Sequence, residues 1–119
     1  MDESTRELFD AAVAVRERSY SPYSNFKVGA AIRTADGSVF AACNVENAAY
    51  PEGVCAEGGA ISMMVAGTDG VPTIIDVVVV ADAEVPATPC GGCRQKINEF
   101  ADASTRIRSL TLDGAGFEA

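Results

Sequence analysis

The sequence contains no histidine. Histidine ligands to a metal and histidine general bases are therefore excluded. Basic residues are also scarce: 9 Lys and Arg face 17 Asp and Glu, a formal net charge of −8. A surface that negative repels phosphate backbones, which disfavours long nucleic acid and suits a small uncharged ligand better. No apolar run is long enough to span a bilayer; Val77 to Ala81, with Ile74 and Ile75 before Asp76, is the longest. The opening Met1-Asp2-Glu3-Ser4 is acidic where a signal peptide would be basic, and no apolar stretch follows it. The expectation is a cytoplasmic protein with reduced thiols and no membrane partner. Repeats, low-complexity tracts and linkers are missing too. At 119 residues, 48% hydrophobic and 22% charged, the chain reads as one folded domain over 1–119.

The elements follow from periodicity and punctuation. Ser4-x-x-Glu7 has the form of a capping box, and Leu8, Ala12 and Val15 follow at helical spacing, predicting a helix from about Ser4 to Arg18. Ser19 to Asn25 is a loop. Lys27 to Thr34 and Val39 to Asn44 are strands joined by an Asp36-Gly37 hairpin turn. Asn47 to Gly53 is a loop. From Cys55 a second helix with an apolar face of Ala60, Ile61, Met64 and Val65 runs to a stop at Gly67. Thr73 to Ala81 is a β-branched run suited to a central buried strand. Asp82 to Thr88 is loop, Cys90 opens a third helix through Phe100, and Arg106 to Leu112 is a last strand. Helices interleave with strands, so the class is α/β, with a mixed sheet because the first pair is a hairpin.

Chemistry concentrates at Cys55-Ala56-Glu57 and Pro89-Cys90-Gly91-Gly92-Cys93. A Cys-x-x-Cys pair, with a third Cys that carries Glu two residues later, reads as three zinc thiolates beside an acid/base carboxylate. That set leaves one metal position open, as catalytic rather than structural zinc sites do. It matches the all-cysteine form of the zinc-deaminase pattern, in which the Glu is not a ligand. The expected cofactor is one Zn²⁺ per chain on Cys55, Cys90 and Cys93, with Glu57 as proton carrier. Both motifs fall at predicted helix starts, where unpaired N–H groups and the positive dipole end offset thiolate charge and lower thiol pKa values. Alone, Cys90 and Cys93 would equally fit a redox dithiol or half of a structural zinc site, and four cysteines could form two disulfides; the metal-ligand spacing favours the catalytic site. Cys43, at a strand end, reads as a small core residue.

Four segments give a resemblance: Ser21-Pro22-Tyr23-Ser24-Asn25-Phe26-Lys27-Val28-Gly29-Ala30-Ala31, Cys43-Asn44-Val45-Glu46-Asn47-Ala48-Ala49-Tyr50, Cys55-Ala56-Glu57 and Pro89-Cys90-Gly91-Gly92-Cys93-Arg94-Gln95. Together they resemble the small, tetrameric cytidine deaminases, over roughly Ser4 to Leu112. The resemblance implies a three-layer α/β/α sandwich with a mixed sheet of about five strands. It implies hydrolysis of cytidine or 2′-deoxycytidine to the uridine product and ammonia, a role in pyrimidine salvage, and a homotetramer with shared active sites. A nucleoside antibiotic as substrate, a structural zinc module and a dithiol oxidoreductase are the competing readings. The resemblance puts Asn44, Val45 and Glu46 at the nucleoside, with Asn44 and Glu46 on the sugar hydroxyls and Phe26 packed against it. Those residue types suit the task, since Asn offers donors and an acceptor and ionised Glu is a pure acceptor. Glu57 and the backbone near Ala56 would read the pyrimidine edge, with the Thr88 carbonyl near the departing ammonia. Two departures stand out. Gly58 occupies a position where many members carry Arg, so either Arg94 carries more of the charge compensation or the zinc is more electron-rich. The chain also closes on Gly116-Phe117-Glu118-Ala119, where members continue to an aromatic residue near a neighbouring site; either Phe117 takes that place or the contact is absent.

Overall fold

The computed structural model describes residues 1–81, 91–114 and 116–118. Helix α1 spans Glu3–Arg16, strand β1 Val28–Thr34, β2 Val39–Cys43, helix α2 Ala56–Ala66, β3 Ile74–Ala81, α3 Gly91–Glu99, β4 Ala101–Leu110 and β5 Gly116–Glu118, with a 3-10 turn at Tyr50–Glu52. The five strands lie in the order β2-β1-β3-β4-β5. Among these strands β3 and β4 run parallel, joined through α3, and the neighbours β1–β2, β1–β3 and β4–β5 are antiparallel. The sheet is mixed, as the hairpin at Asp36-Gly37 predicts, and Gly37 takes the positive φ of 89° that such a turn needs.

Alternation along the strands divides the core in two. Leu8, Phe9 and Ala12 of α1 pack on Ala31, Val78 and Val80 from one side. Ala60, Ile61 and Met64 of α2 and Ile97 of α3 pack on Ala30, Ile32, Val77 and Val79 from the other. This is the expected three-layer α/β/α sandwich. Among the described residues no helix is long and apolar enough to cross a membrane.

Several expectations shift. The first helix is capped by Asp2, whose side chain accepts from the Thr5 N–H at 2.8 Å, rather than by Ser4; the chain enters helical geometry earlier and leaves it at Glu17. Val65 is 47% exposed, because the buried stripe of α2 runs through Ala56, Glu57, Ala60, Ile61 and Met64 instead. Strand β4 starts at Ala101, well before Arg106. The ladder skips from Ile74↔Ala101 to Asp76↔Arg106, and the extra residues form a bulge in which the Thr105 hydroxyl donates to the Ile74 carbonyl. Ile107 and Leu110 consequently join opposite core layers, and Leu112 lies beyond the strand. The Asp82 to Thr88 loop lies outside the described residues.

Candidate active site

The site begins with a strand-like pairing that sequence periodicity does not reveal. Val45 and Val54 exchange N–H···O bonds of 2.9 and 2.8 Å, and the Glu46 N–H donates to the Tyr20 carbonyl at 2.8 Å. The Asn44–Glu46 block is thereby fixed one residue from Cys55. Cys55 then caps α2 in extended geometry, and the first bond of the helix runs from the Gly59 N–H to the Cys55 carbonyl at 3.0 Å. The N–H groups of Ala56, Glu57 and Gly58 precede that bond and have no intrahelical partner, so the positive end of the helix lies beside the Cys55 side chain.

Glu57, in the same turn, is 5% exposed. Burial pushes its carboxyl above its ordinary value, opposed in turn by its own N–H, by a hydrogen bond with the Cys93 side chain and by the Lys96 ammonium. Cys93 lies in the first turns of α3 and is buried. The structure thus links the starts of α2 and α3 through the Glu57–Cys93 hydrogen bond, with Cys55 at the cap of α2. Cys90 and Thr88 lie outside the described residues. Cys43 is half-buried at the end of β2, opposite Gly29.

Asn44 and Glu46 are tied into the loop they organise. The Asn44 Oδ1 accepts from the Ser19 hydroxyl at 2.5 Å and the Val28 N–H at 2.9 Å, and its Nδ2 donates to the Phe26 carbonyl at 2.9 Å. Glu46 accepts from the N–H groups of Tyr23 and Ser24 and from the Ser24 hydroxyl. These bonds hold its carboxyl below its ordinary value, the Ser24 hydroxyl first among them. Each side chain keeps spare capacity: one amide hydrogen on Asn44, and acceptor positions on Glu46. Tyr23, Asn44, Val45, Glu46, Tyr50 and Cys55 are among the residues lining one cleft of about 550 Å³. Phe26, 38% exposed, adjoins the cleft through its carbonyl. Arg94 faces another groove, shared with Ala101, Asp102 and Thr105.

Sequence reasoning missed Lys96 and the anchors Ser19 and Ser24. The signal for Lys96 was its i+3 spacing from Cys93, which puts both on one helical face.

Thiols at two helix starts beside a buried carboxyl form a donor set suited to zinc. On a three-layer α/β/α sandwich, that set defines a zinc-type deaminase domain. Residues 2–108 match the family described as "Cytidine and deoxycytidylate deaminase zinc-binding region", and the chain belongs to that family. The chain is 46% identical over 99 residues to a cytidine deaminase of Sporosarcina psychrophila, covering 83% of this chain and 71% of that one. With a cytidine deaminase of Halalkalibacterium halodurans it shares 41% over 107 residues, 90% and 80% of the two chains. A crystal structure of cytidine deaminase from Burkholderia pseudomallei superposes with a TM-score of 0.86 at 40% identity, covering 100% of this chain and 92% of that one.

Proposed function

We propose that the cleft beside Cys55 admits free cytidine or 2′-deoxycytidine and that Glu57 carries the protons of its hydrolytic deamination. The chain is an enzyme of the cytidine deaminase family, and the products are the uridine nucleoside and ammonia. The observation that carries the assignment is Glu57, a carboxyl buried in the first turn of α2 and hydrogen-bonded to the Cys93 side chain.

Cys55, Cys90 and Cys93 would hold one zinc ion per chain, which supplies the Lewis acidity that makes water a competent nucleophile near neutral pH. Glu57 takes the proton of the attacking water as it adds to C4 of the pyrimidine. The carboxyl then delivers that proton to the ring nitrogen and carries the next one to the departing amine. Its raised pKa suits the accepting half of this duty, because it makes the carboxylate a stronger base toward water, while the carboxylic acid is still acidic enough to give the proton up again. Glu57 and the backbone N–H near Ala56, at the open start of α2, would read the pyrimidine edge. Asn44 and Glu46 spend their spare donor and acceptor on sugar hydroxyls, with Val45 and Phe26 as apolar neighbours and the Thr88 carbonyl receiving ammonia. A homotetramer with shared sites, in the cytoplasm and serving pyrimidine salvage, completes the reading.

The test is loss of cytidine absorbance with wild type and Glu57→Gln, with zinc measured in both. Each protein should hold about one zinc per chain, and Glu57→Gln should lose roughly 10²–10⁴-fold in kcat. Equal turnover in the two proteins would remove Glu57 from the chemistry. A zinc-loaded but inactive wild type would redirect the site to another small cytosine-containing substrate, such as a nucleoside antibiotic.

A further inference from the structure

A tri-thiolate site must settle its charge. Three thiolates outnumber the charge of a zinc dication by one, and Glu57 adds another when ionised. Two helix N-termini return part of this, each equivalent to roughly half a positive charge. A full cation is still wanted nearby, and because Cys55 is exposed, solvent screening requires that it sit close to be felt.

Lys96 has the required placement. It lies three residues after Cys93, on the face of α3 that carries that cysteine toward α2. A methyl group built on Gly58 would lie 3.3 Å from the Lys96 Nζ and 3.9 Å from its Cδ. The lysine side chain therefore reaches from α3 to the first turn of α2, and its ammonium rests over Gly58, which has no side chain to displace it. Gly58 adjoins Glu57, so this placement brings the Lys96 ammonium to the turn that carries that carboxyl. The opposite arrangement holds for Arg94, which lines the groove toward Ala101 and Asp102. Gly58 is costly in a helix, by about 1 kcal/mol against Ala, and room for a cation from the neighbouring helix is a reason for it.

We propose that Lys96 is the positioning cation of this centre, holding its ammonium over Gly58 to offset thiolate and carboxylate charge and so retain the zinc ion and keep Glu57 in place. This rests on the zinc-thiolate reading above, and the experiment separates the two.

Zinc release to a chromophoric chelator, kcat and KM for cytidine, and Tm are compared for wild type, Lys96→Ala, Lys96→Arg and the double variant Gly58→Arg/Lys96→Ala. Lys96 is exposed and helical, so Ala should leave Tm near wild type. Lys96→Ala should release zinc roughly 10–100-fold faster and lose a comparable factor in kcat, with KM little changed. Lys96→Arg should stay close to wild type, and the double variant should recover most of both losses by supplying the cation from α2. Zinc retention and kcat unchanged in Lys96→Ala would overturn the proposal, as would a loss that Lys96→Arg shares in full. A wild type that binds no zinc would instead overturn the thiolate site itself, and the proposal with it.

Discussion

Asn44 and Glu46 hold their loop together with the same atoms that would hold a sugar. The Asn44 carboxamide ties Ser19, Val28 and Phe26, and the Glu46 carboxylate ties Tyr23 and Ser24. Each is thus fixed before any ligand arrives, which removes an ordering cost from binding. Glu46→Ala should therefore raise KM for cytidine about 10–100-fold, the range for hydrogen bonds to a charged group, with a smaller effect on kcat. The pH dependence has a definite sign. Native bonds favour the ionised form of Glu46, so their contribution is fully present above the ordinary carboxylate pKa and is lost as pH falls through the lowered native value. KM measured against pH should be flat near neutrality and rise only in acid; a rise beginning near neutrality would assign it to another group. If Lys96 is the cation, as proposed above, its place is less legible at this scale. Arg94 stands next to Cys93 in sequence, but neighbours on a helix point about 100° apart, and Lys96 at i+3 shares the cysteine's face.

At the scale of elements, glycine marks where layers touch. A methyl on Gly29 would fall 2.0 Å from the Ala12 carbonyl oxygen and 2.9 Å from the Arg16 Cβ, so α1 lies directly on the backbone of β1. Gly59 plays a milder form of this role, its added methyl meeting the Ala42 Cβ at 3.1 Å. Gly59 of α2 thus serves packing on β2 within the chain. Gly29→Ala should cost about 1–3 kcal/mol or more through overpacking, read as a lower Tm. Gly58→Ala meets only the flexible end of Lys96 and should leave Tm unchanged or raised by helix propensity; equal losses in both variants would refute the distinction. Much of the fold was legible because its signals are local. Asp36-Gly37 marked the hairpin, and the run of valines marked the central strand. The N-cap misread is local too: Ser4 and Asp2 both suit a cap, and only the backbone angle at Asp2 decides between them. Strand β5, three residues long, carries no periodicity to read, and the bulge in β4 depends on where β3 already lies. The pairing of Val45 with Val54 is likewise invisible to periodicity, although it is what joins the cleft to Cys55.

For the whole molecule, the remaining question is what the exposed apolar side chains are for. Tyr50 is 93% exposed, and Val54, Met63 and Val65 are each about half exposed, on α2 and the loop leading into it. Tyr50 and Val54 also line the cleft, so a neighbouring copy that covered them would close over the substrate. Assembly and activity should then fall together. Light scattering should give four times the mass of one chain, and Tyr50→Ser with Met63→Ser should shift the protein toward smaller species while raising KM for cytidine. The stability of each variant's fold is checked by Tm, because both side chains are exposed and their loss should cost the core little. Dilution supplies an independent arm: specific activity of the wild type should decline at concentrations where the tetramer dissociates. A monomer that keeps full turnover at every concentration would show that one chain builds its site alone, and the exposed tyrosine would then be a rim of the cleft and nothing more.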